Sequence, residues 1–214
     1  MYAIVSLNDA KYQPLADLTW DQNKKLYAEK HGYMAINKTD NFVGNIALGF
    51  EKLFFIHDLM EEHPELEWVW WTGTDSMVTN FTTKIEDKID NDYELILATD
   101  CNEINNDSFL IKNSEWSRAY LKGLCDLEPH YKNHFFYEQQ AMIESYLDNR
   151  DSIKIVPQRY LNAYRNELYP HQTKYDQLGT DGTWQKGDWL VHWPGTGMEL
   201  RLQLASIYAK EVVQ

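Results

Sequence analysis

Residues Glu67 to Asn80 read EWVWWTGTDSMVTN. A strongly apolar, tryptophan-rich run meets a Thr-Gly-Thr-Asp tetrad, Thr72 to Asp75, and apolar character returns at Met77 and Val78. A short run of aromatic and β-branched residues suits a pleated strand, so EWVWW predicts a strand that leaves one carboxylate, Asp75, at its polar tip. The question is what that carboxylate is for.

Working outward, the opening MYAIVSLN is another short apolar run closed by Asn8 and Asp9, and predicts a buried strand. TWDQNKKLYAEKHGY follows with Trp20, Lys24, Leu26, Tyr27 and Lys30 around a helical period and Gly32 just past its end. YMAIN then closes a β-α-β unit, and residues 45–62 have helical spacing up to His63-Pro64. Downstream, YELILATD, DSFLIKNS, SIKIVPQ and DWLVHWPG read as strands, and SEWSRAYLKGL, EQQAMIESYL and MELRLQLASIYAKEVV as helices. Strands alternating with helices predict a single α/β domain with a mainly parallel central sheet. Tyr160 to Lys186, rich in Tyr, Asn, Gly and Asp, reads as an irregular excursion, either an acceptor-side loop or plain surface.

Composition narrows the partners. Thirty-three acidic against 20 basic residues give a net charge of -13 over 214 residues, which repels polyanions and argues against nucleic acid. No run approaches the roughly 18 apolar residues of a membrane span, so no span is expected. Two cysteines, Cys101 and Cys125, lack metal-pair spacing and read as packing residues of a reducing compartment. An acidic chain still binds a phosphorylated small molecule where a divalent cation supplies local positive charge.

Ligands of open α/β sheets gather beyond the C-terminal strand ends, where this chain places Ser6 to Asp9, Asp75, Asp100 and His192. Asp75 and His192 suit a water-rich Mn²⁺ or Mg²⁺ site, because a bound diphosphate supplies further oxygens. The plainer alternatives stay open: a lone Asp after a strand also caps a turn, and a His between Val191 and Trp193 also serves as a hydrogen-bonded core residue. HWPGTG sets glycines beside His192 for close backbone approach to a phosphate, but neither a Walker nor a dinucleotide fingerprint is present.

The ordered segments KKLYAEKHGY, GFEKLFFIHDLMEEHPELEWVWWTGTDSMVTN, LATDCNEINNDSFLIKNSEWS, YEQQAM and DWLVHWPG resemble glycosyltransferase family 34 across roughly residues 1–200. Within it, the TGTD tetrad and the brevity of the chain are similar to the small chlorella-virus enzymes that glycosylate capsid protein. The resemblance implies a GT-A fold with helices on both faces of a mixed, mainly parallel sheet. A Rossmann-like nucleotide-sugar half would span about 1–100, and an acceptor half about 101–214 would return His192 to the metal site.

It further implies a UDP-sugar donor, UDP-glucose first, a glycan or capsid-glycoprotein acceptor, retention of configuration, and work in the host-cell cytoplasm. The strand tip corresponds to the family's Asp-x-Asp metal motif, except that Gly73 stands where the first Asp belongs. Asp75 and His192 would then hold Mn²⁺ or Mg²⁺, with Gly73 and Thr74 beside the nucleotide ribose and the Gly195 amide near the phosphate. Ser6, Tyr12 and Asp40 would contact base or ribose. Lys52 would reach the sugar phosphate, unless it is an exposed helix lysine. Asp100 would bind a sugar hydroxyl, and Glu138 and Gln139 would face the reactive side of the donor sugar. Two other readings remain: a nucleotide-sugar-binding module without turnover, and a UDP-sugar hydrolase.

Overall fold

The computed structural model describes residues 1–44, 46–165 and 174–214. The chain opens with strand β1 (Tyr2–Leu7) and a continuous helical rod made of α1 (Gln13–Ala16), a π-helical stretch (Asp17–Lys24) and α2 (Lys25–His31). Gly32, at φ 72°, ends that rod in the left-handed conformation glycine tolerates best. There follow β2 (Met34–Lys38), α3 (Leu48–Glu62), β3 (Trp68–Thr72), β4 (Ser76–Val78), β5 (Leu95–Asp100) and β6 (Glu103–Lys112). Then come α4 (Glu115–Asp126), α5 (Glu128–Tyr131), α6 (Tyr137–Asn149), β7 (Ile153–Val156), α7 (Gln158–Leu161), β8 (Ala163–Tyr164), β9 (Leu190–His192) and α8 (Met198–Tyr208).

Six strands form the main sheet in the order β2-β1-β3-β6-β5-β7, parallel throughout except for β6, which runs against both of its neighbours. All five residues of β3 are buried, as expected of a strand covered on both faces. Side chains alternate between those faces. Ala3, Val5, Val69, Trp71, Leu97 and Phe109 pack under α3, α4 and α6, whereas Ile4, Trp68, Trp70, Ile96 and Leu110 meet Trp20, Tyr27 and Trp189 on the opposite side. Trp70 and Trp189 stack with ring centroids 3.9 Å apart. A second, three-stranded sheet, β4-β9-β8, packs Met77 and Val191 with Trp193 against Leu204 and Ala205 of α8.

Two local departures from regularity shape the site. The buried residues of the helical rod come in pairs, Thr19 and Trp20, Asn23 and Lys24, Tyr27 and Ala28, a repeat of four in place of 3.6. The wider π turns produce it. The sequence period set Leu26 beside Lys24; in the structure Leu26 is exposed and Lys24 fully buried. The second departure is a bulge in β6. Leu97 pairs with Phe109, but the next residue, Ala98, pairs with Asn105, so Asn106, Asp107 and Ser108 are left out of the ladder with β5.

Of the irregular excursion, α7, β8 and residues 174–186 are described; 166–173 lie outside the described residues, as does Asn45 at the expected start of the second helix. Among the described residues no helix is long and apolar enough to cross a membrane.

Candidate active site

The tip of β3 is fastened from behind by the π-helical stretch. Lys24 donates from Nζ to the Gly73 carbonyl at 2.5 Å, Thr19 Oγ1 donates to the Thr74 carbonyl at 2.7 Å, and Asn23 exchanges two hydrogen bonds with the Val78 backbone. From the front, Thr74 Oγ1 donates to the Leu7 carbonyl at 2.7 Å, joining the ends of β3 and β1. Burial pushes the Lys24 ammonium down to about 7, against the pull of Asp107 and Asp75. A buried donor with no water to fall back on holds this turn in one shape.

Pairing of β4 with β9 sets His192 opposite Ser76, and the Trp193 amide donates to the Asp75 carbonyl, so Asp75 and His192 meet although 117 positions separate them. His192 Nε2 lies 3.5 Å from Asp75 Oδ1 and 3.2 Å from Asp107 Oδ2, and the three ligand atoms lie within 4.8 Å of one another. The other imidazole nitrogen, Nδ1, is 2.8 Å from Asn162 Oδ1, whose amide Nδ2 donates to Asn105 Oδ1. With Nδ1–H donating to Asn162, neutral His192 turns the lone pair of Nε2 toward two carboxylates, a contact that needs a proton or a cation between them. Burial alone would lower the His192 pKa, yet Asp107 and Asp75 together raise it.

Burial also opposes ionisation of Asp75, but His192 and the Arg201 guanidinium hold its carboxyl below the usual range. Arg201 Nη2 is 2.6 Å from Asp75 Oδ2, and Nη1 donates to the Tyr12 hydroxyl at 2.8 Å. Asp107 responds in the opposite direction: burial, and then the neighbouring Asp75 charge, raise its pKa despite His192. Its Oδ2 is buried with no hydrogen-bond donor aligned on it. Two carboxylate oxygens and one imidazole nitrogen, pre-positioned and under-satisfied, are a donor set that suits a hard or borderline divalent ion.

A cavity of about 670 Å³ opens over this cluster, lined on one side by Asn8, Asp9 and Tyr12 and on the other by Lys52, Glu138 and the aromatic rim Phe135 to Tyr137. Lys52 is buried, not an exposed helix lysine: its Nζ lies 2.7 Å from Glu138 Oε1 and donates to both oxygens of Asn106 at 3.0 Å. Gly49 makes room for that pair, because a Cβ there would sit 2.7 Å from Glu138 Cδ. An adjoining hollow of about 420 Å³ carries Asp100, Gln139, His192 and Gly195. Asp100 accepts three hydrogen bonds there, from the Asn102 amide on Oδ1 and from Asn105 Nδ2 and the Tyr164 hydroxyl on Oδ2, which leaves Oδ1 room for one more donor.

Most of the residues singled out in the sequence thus share one continuous depression: Tyr12, Lys52, Gly73, Thr74, Asp75, Asp100, Glu138, Gln139, His192 and Gly195. Two do not. Ser6 is buried inside β1 at 1% exposure, and Asp40 is exposed and bonded to the Asn41 side chain, so neither lines the cavity; Asn8 and Asp9 occupy the edge assigned to them. The space where a Cβ of residue 73 would stand is filled by the Asp107 carboxylate. Sequence reasoning missed Asp107, Arg201 and Lys24. Asp107 carried one faint signal, a carboxylate in a polar NND run between two apolar strands.

A family model described as the galactosyl transferase GMA12/MNN10 family matches residues 8–91 and 88–201. The chain is 26% identical over 182 residues to the probable alpha-1,6-mannosyltransferase MNN10 of Saccharomyces cerevisiae, covering 67% of this chain and 46% of that protein. It is also 26% identical over 188 residues to an alpha-1,2-galactosyltransferase of Schizosaccharomyces pombe, covering 67% and 49%. The chain spans about half the length of these curated relatives.

Among solved structures, a glycosyltransferase involved in the glycosylation of the major capsid of PBCV-1 matches with TM-score 0.79 at 20% identity over 96% of this chain and 98% of that one. The galactosyltransferase LgtC, solved with donor and acceptor sugar analogs, matches with TM-score 0.62 at 13% identity over 98% and 94%. The fold is that of the GT-A glycosyltransferases. Within that class, the chain belongs to the galactosyl transferase GMA12/MNN10 family, glycosyltransferase family 34.

Proposed function

We propose that this chain is a divalent-metal-dependent glycosyltransferase that moves a sugar from a UDP-sugar, UDP-glucose first, to a hydroxyl of a glycan or glycoprotein with retention of configuration. The observation that carries the reading is the meeting of Asp75 and His192 where a cavity walled by the β1 edge on one side and the Lys52–Glu138 pair on the other joins the adjoining hollow. Family membership supports the reaction class.

Asp75 and His192 would hold the ion, Mn²⁺ or Mg²⁺, which when bound supplies positive charge to the leaving diphosphate. Arg201 fixes the second oxygen of Asp75 and, through Tyr12, ties the nucleotide edge to the metal edge. Tyr12, Asn8 and Asp9 line the side where base and ribose would lie. Lys52, clamped by Asn106 and Glu138, places a cation near the phosphates, and the Gly195 amide adds a neutral donor. Glu138 and Gln139 face the sugar and orient it, and Asp100, rigid in its hydrogen-bond network, offers an oxygen to a sugar hydroxyl. In a retaining transfer the acceptor attacks from the leaving-group face. The C–O bond to UDP breaks as the bond to the acceptor forms, and the acceptor proton passes to the departing phosphate.

The likeness to the glycosyltransferase involved in PBCV-1 capsid glycosylation supports a capsid glycoprotein acceptor, and the proposal places the work in the host-cell cytoplasm. In our reading residues 1–214 form one GT-A unit, about 1–100 for the nucleotide sugar and about 101–214 for the acceptor.

Calorimetric titration of UDP, UDP-glucose and GDP-mannose, with Mn²⁺ and with chelator, tests this. Manganese-dependent binding of the uridine ligands alone is expected, and no nucleotide binding under either condition overturns it. Binding without transfer to any acceptor would instead mark a nucleotide-sugar-binding module, and acceptor-independent sugar release a hydrolase.

A further inference from the structure

The tip of β3 carries a glycine whose backbone does not need to be glycine. Gly73 is absent from the positive-φ residues, so an L side chain would fit its conformation. What excludes one is a neighbour: a Cβ built on Gly73 would lie 2.6 Å from Asp107 Cγ and closer still to both carboxylate oxygens. The β6 bulge delivers Asp107 to that spot, and the Gly73 amide donates to the Asp107 carbonyl at 2.9 Å, holding the two backbones together. The side-chain volume missing from position 73 is filled from position 107.

We infer that Asp107 is a third protein ligand of the divalent ion, supplied from β6 into the space that Gly73 leaves on β3, so that a carboxylate at either position does the same work. Three features point there. Asp107 Oδ2 is buried, has no aligned hydrogen-bond donor, and faces His192 Nε2 at 3.2 Å. Ligands about 2.1 Å from a common ion and at right angles lie roughly 3 Å apart, close to the 3.2 and 3.5 Å separations His192 makes with the two carboxylates. Finally, two carboxylates facing one imidazole lone pair would repel unless a cation joined them.

This assignment rests on the metal-dependent reading above, and the experiment separates their failures. Free Mn²⁺ is measured by its paramagnetic resonance signal during titration of wild type, Asp107→Asn, Asp107→Ala, Gly73→Asp and Gly73→Asp/Asp107→Ala, each with and without UDP and each checked by its unfolding midpoint. Wild type should bind Mn²⁺, and both Asp107 variants should bind on the order of tenfold or more weakly while remaining folded. Gly73→Asp alone should be the least stable, because two carboxylates would compete for one space; in the double variant that space is vacated and most of the lost affinity returns. If the Asp107 variants bind as wild type does, Asp107 is no ligand and the inference falls while the metal-dependent reading stands. A folded double variant that stays as weak as Asp107→Ala overturns the equivalence of the two positions. Absence of Mn²⁺ binding by wild type, with or without UDP, overturns both.

Discussion

The two walls of the cavity are built in opposite ways. The floor and rear wall, Gly73 to Asp75 with His192 and Asp107, carry buried and part-buried polar groups fixed by hydrogen bonds and ion pairs from the π-helical stretch, β6 and Arg201. The rim at Phe135 to Tyr137 is apolar and outward-facing: Phe135 is 84% exposed, and Tyr137 sits at a positive φ that bulky residues seldom adopt. Preorganised polar groups suit a ligand whose charges must be met in one geometry, a nucleotide diphosphate with its cation. Exposed aromatic faces suit the flat apolar side of a sugar ring, where position matters less. In the proposed function one wall would take the donor and the other the acceptor.

The contrast between the two walls predicts effects of graded size. The largest effect is expected from Lys52→Met, which strands the buried carboxylate of Glu138 and should lower stability by about 3–5 kcal/mol in chemical denaturation. Adding Glu138→Gln should recover much of the loss; if it does not, the pair is not the strut described. Next, Asp75→Ala and His192→Ala should each weaken Mn²⁺-dependent UDP-sugar binding by about a hundredfold without unfolding the chain, and unchanged binding in both would remove the donor floor.

A smaller, pH-dependent effect belongs to Lys24. Its folded pKa of about 7 lies below the ordinary 10.5, so between those values the unfolded chain holds more protons and stability rises with pH. The stability difference between wild type and Lys24→Met should therefore shift in favour of wild type as pH climbs through that window. Urea titrations giving a pH-independent difference would contradict it. On the rim, Phe135→Ala should leave the unfolding midpoint and UDP binding unchanged but weaken oligosaccharide binding on a glycan array by a few-fold, on the order of 1 kcal/mol. The smallest effect is chemical: a maleimide at pH 8 should label half-buried Cys101 slowly and leave Cys125, which burial pushes up to about 12, untouched until unfolding.

Much of this arrangement was legible in the chain. EWVWW and its tip, the β-α-β opening and the late DWLVHWPG strand follow from short apolar runs with polar ends, and in a parallel sheet such ends converge. Lys52 stood out through the family resemblance as a cation near the sugar phosphate, with an exposed helix lysine as the alternative; that Glu138 and Asn106 bury it depends on packing between elements far apart in sequence. Asp107 escaped for a different reason. In a parallel sheet the residues before a strand lie far from the site, but β6 is antiparallel, so its early residues arrive at the ligand edge, and strand direction leaves no mark on hydrophobic pattern. Lys24 falls on the face of Trp20 and Tyr27 in the sequence, but its role as a buried donor to the Gly73 carbonyl comes from packing against a strand tip 49 residues further on.

The repeat of four in the helical rod makes the site sensitive to chain length as well as to composition. A π turn holds one residue more than an α turn, and Thr19, Asn23 and Lys24 face the β3 tip only while that count is kept. Asp21 is exposed, and its loss would remove no contact at the tip. Deleting it with the π winding kept would nonetheless move every later residue one position back along the rod and so turn it to another face. Lys25 would then stand where Lys24 belongs and Lys24 where Asn23 belongs, and the two-bond clasp on the Val78 backbone would be lost without a single change among the residues that line the cavity.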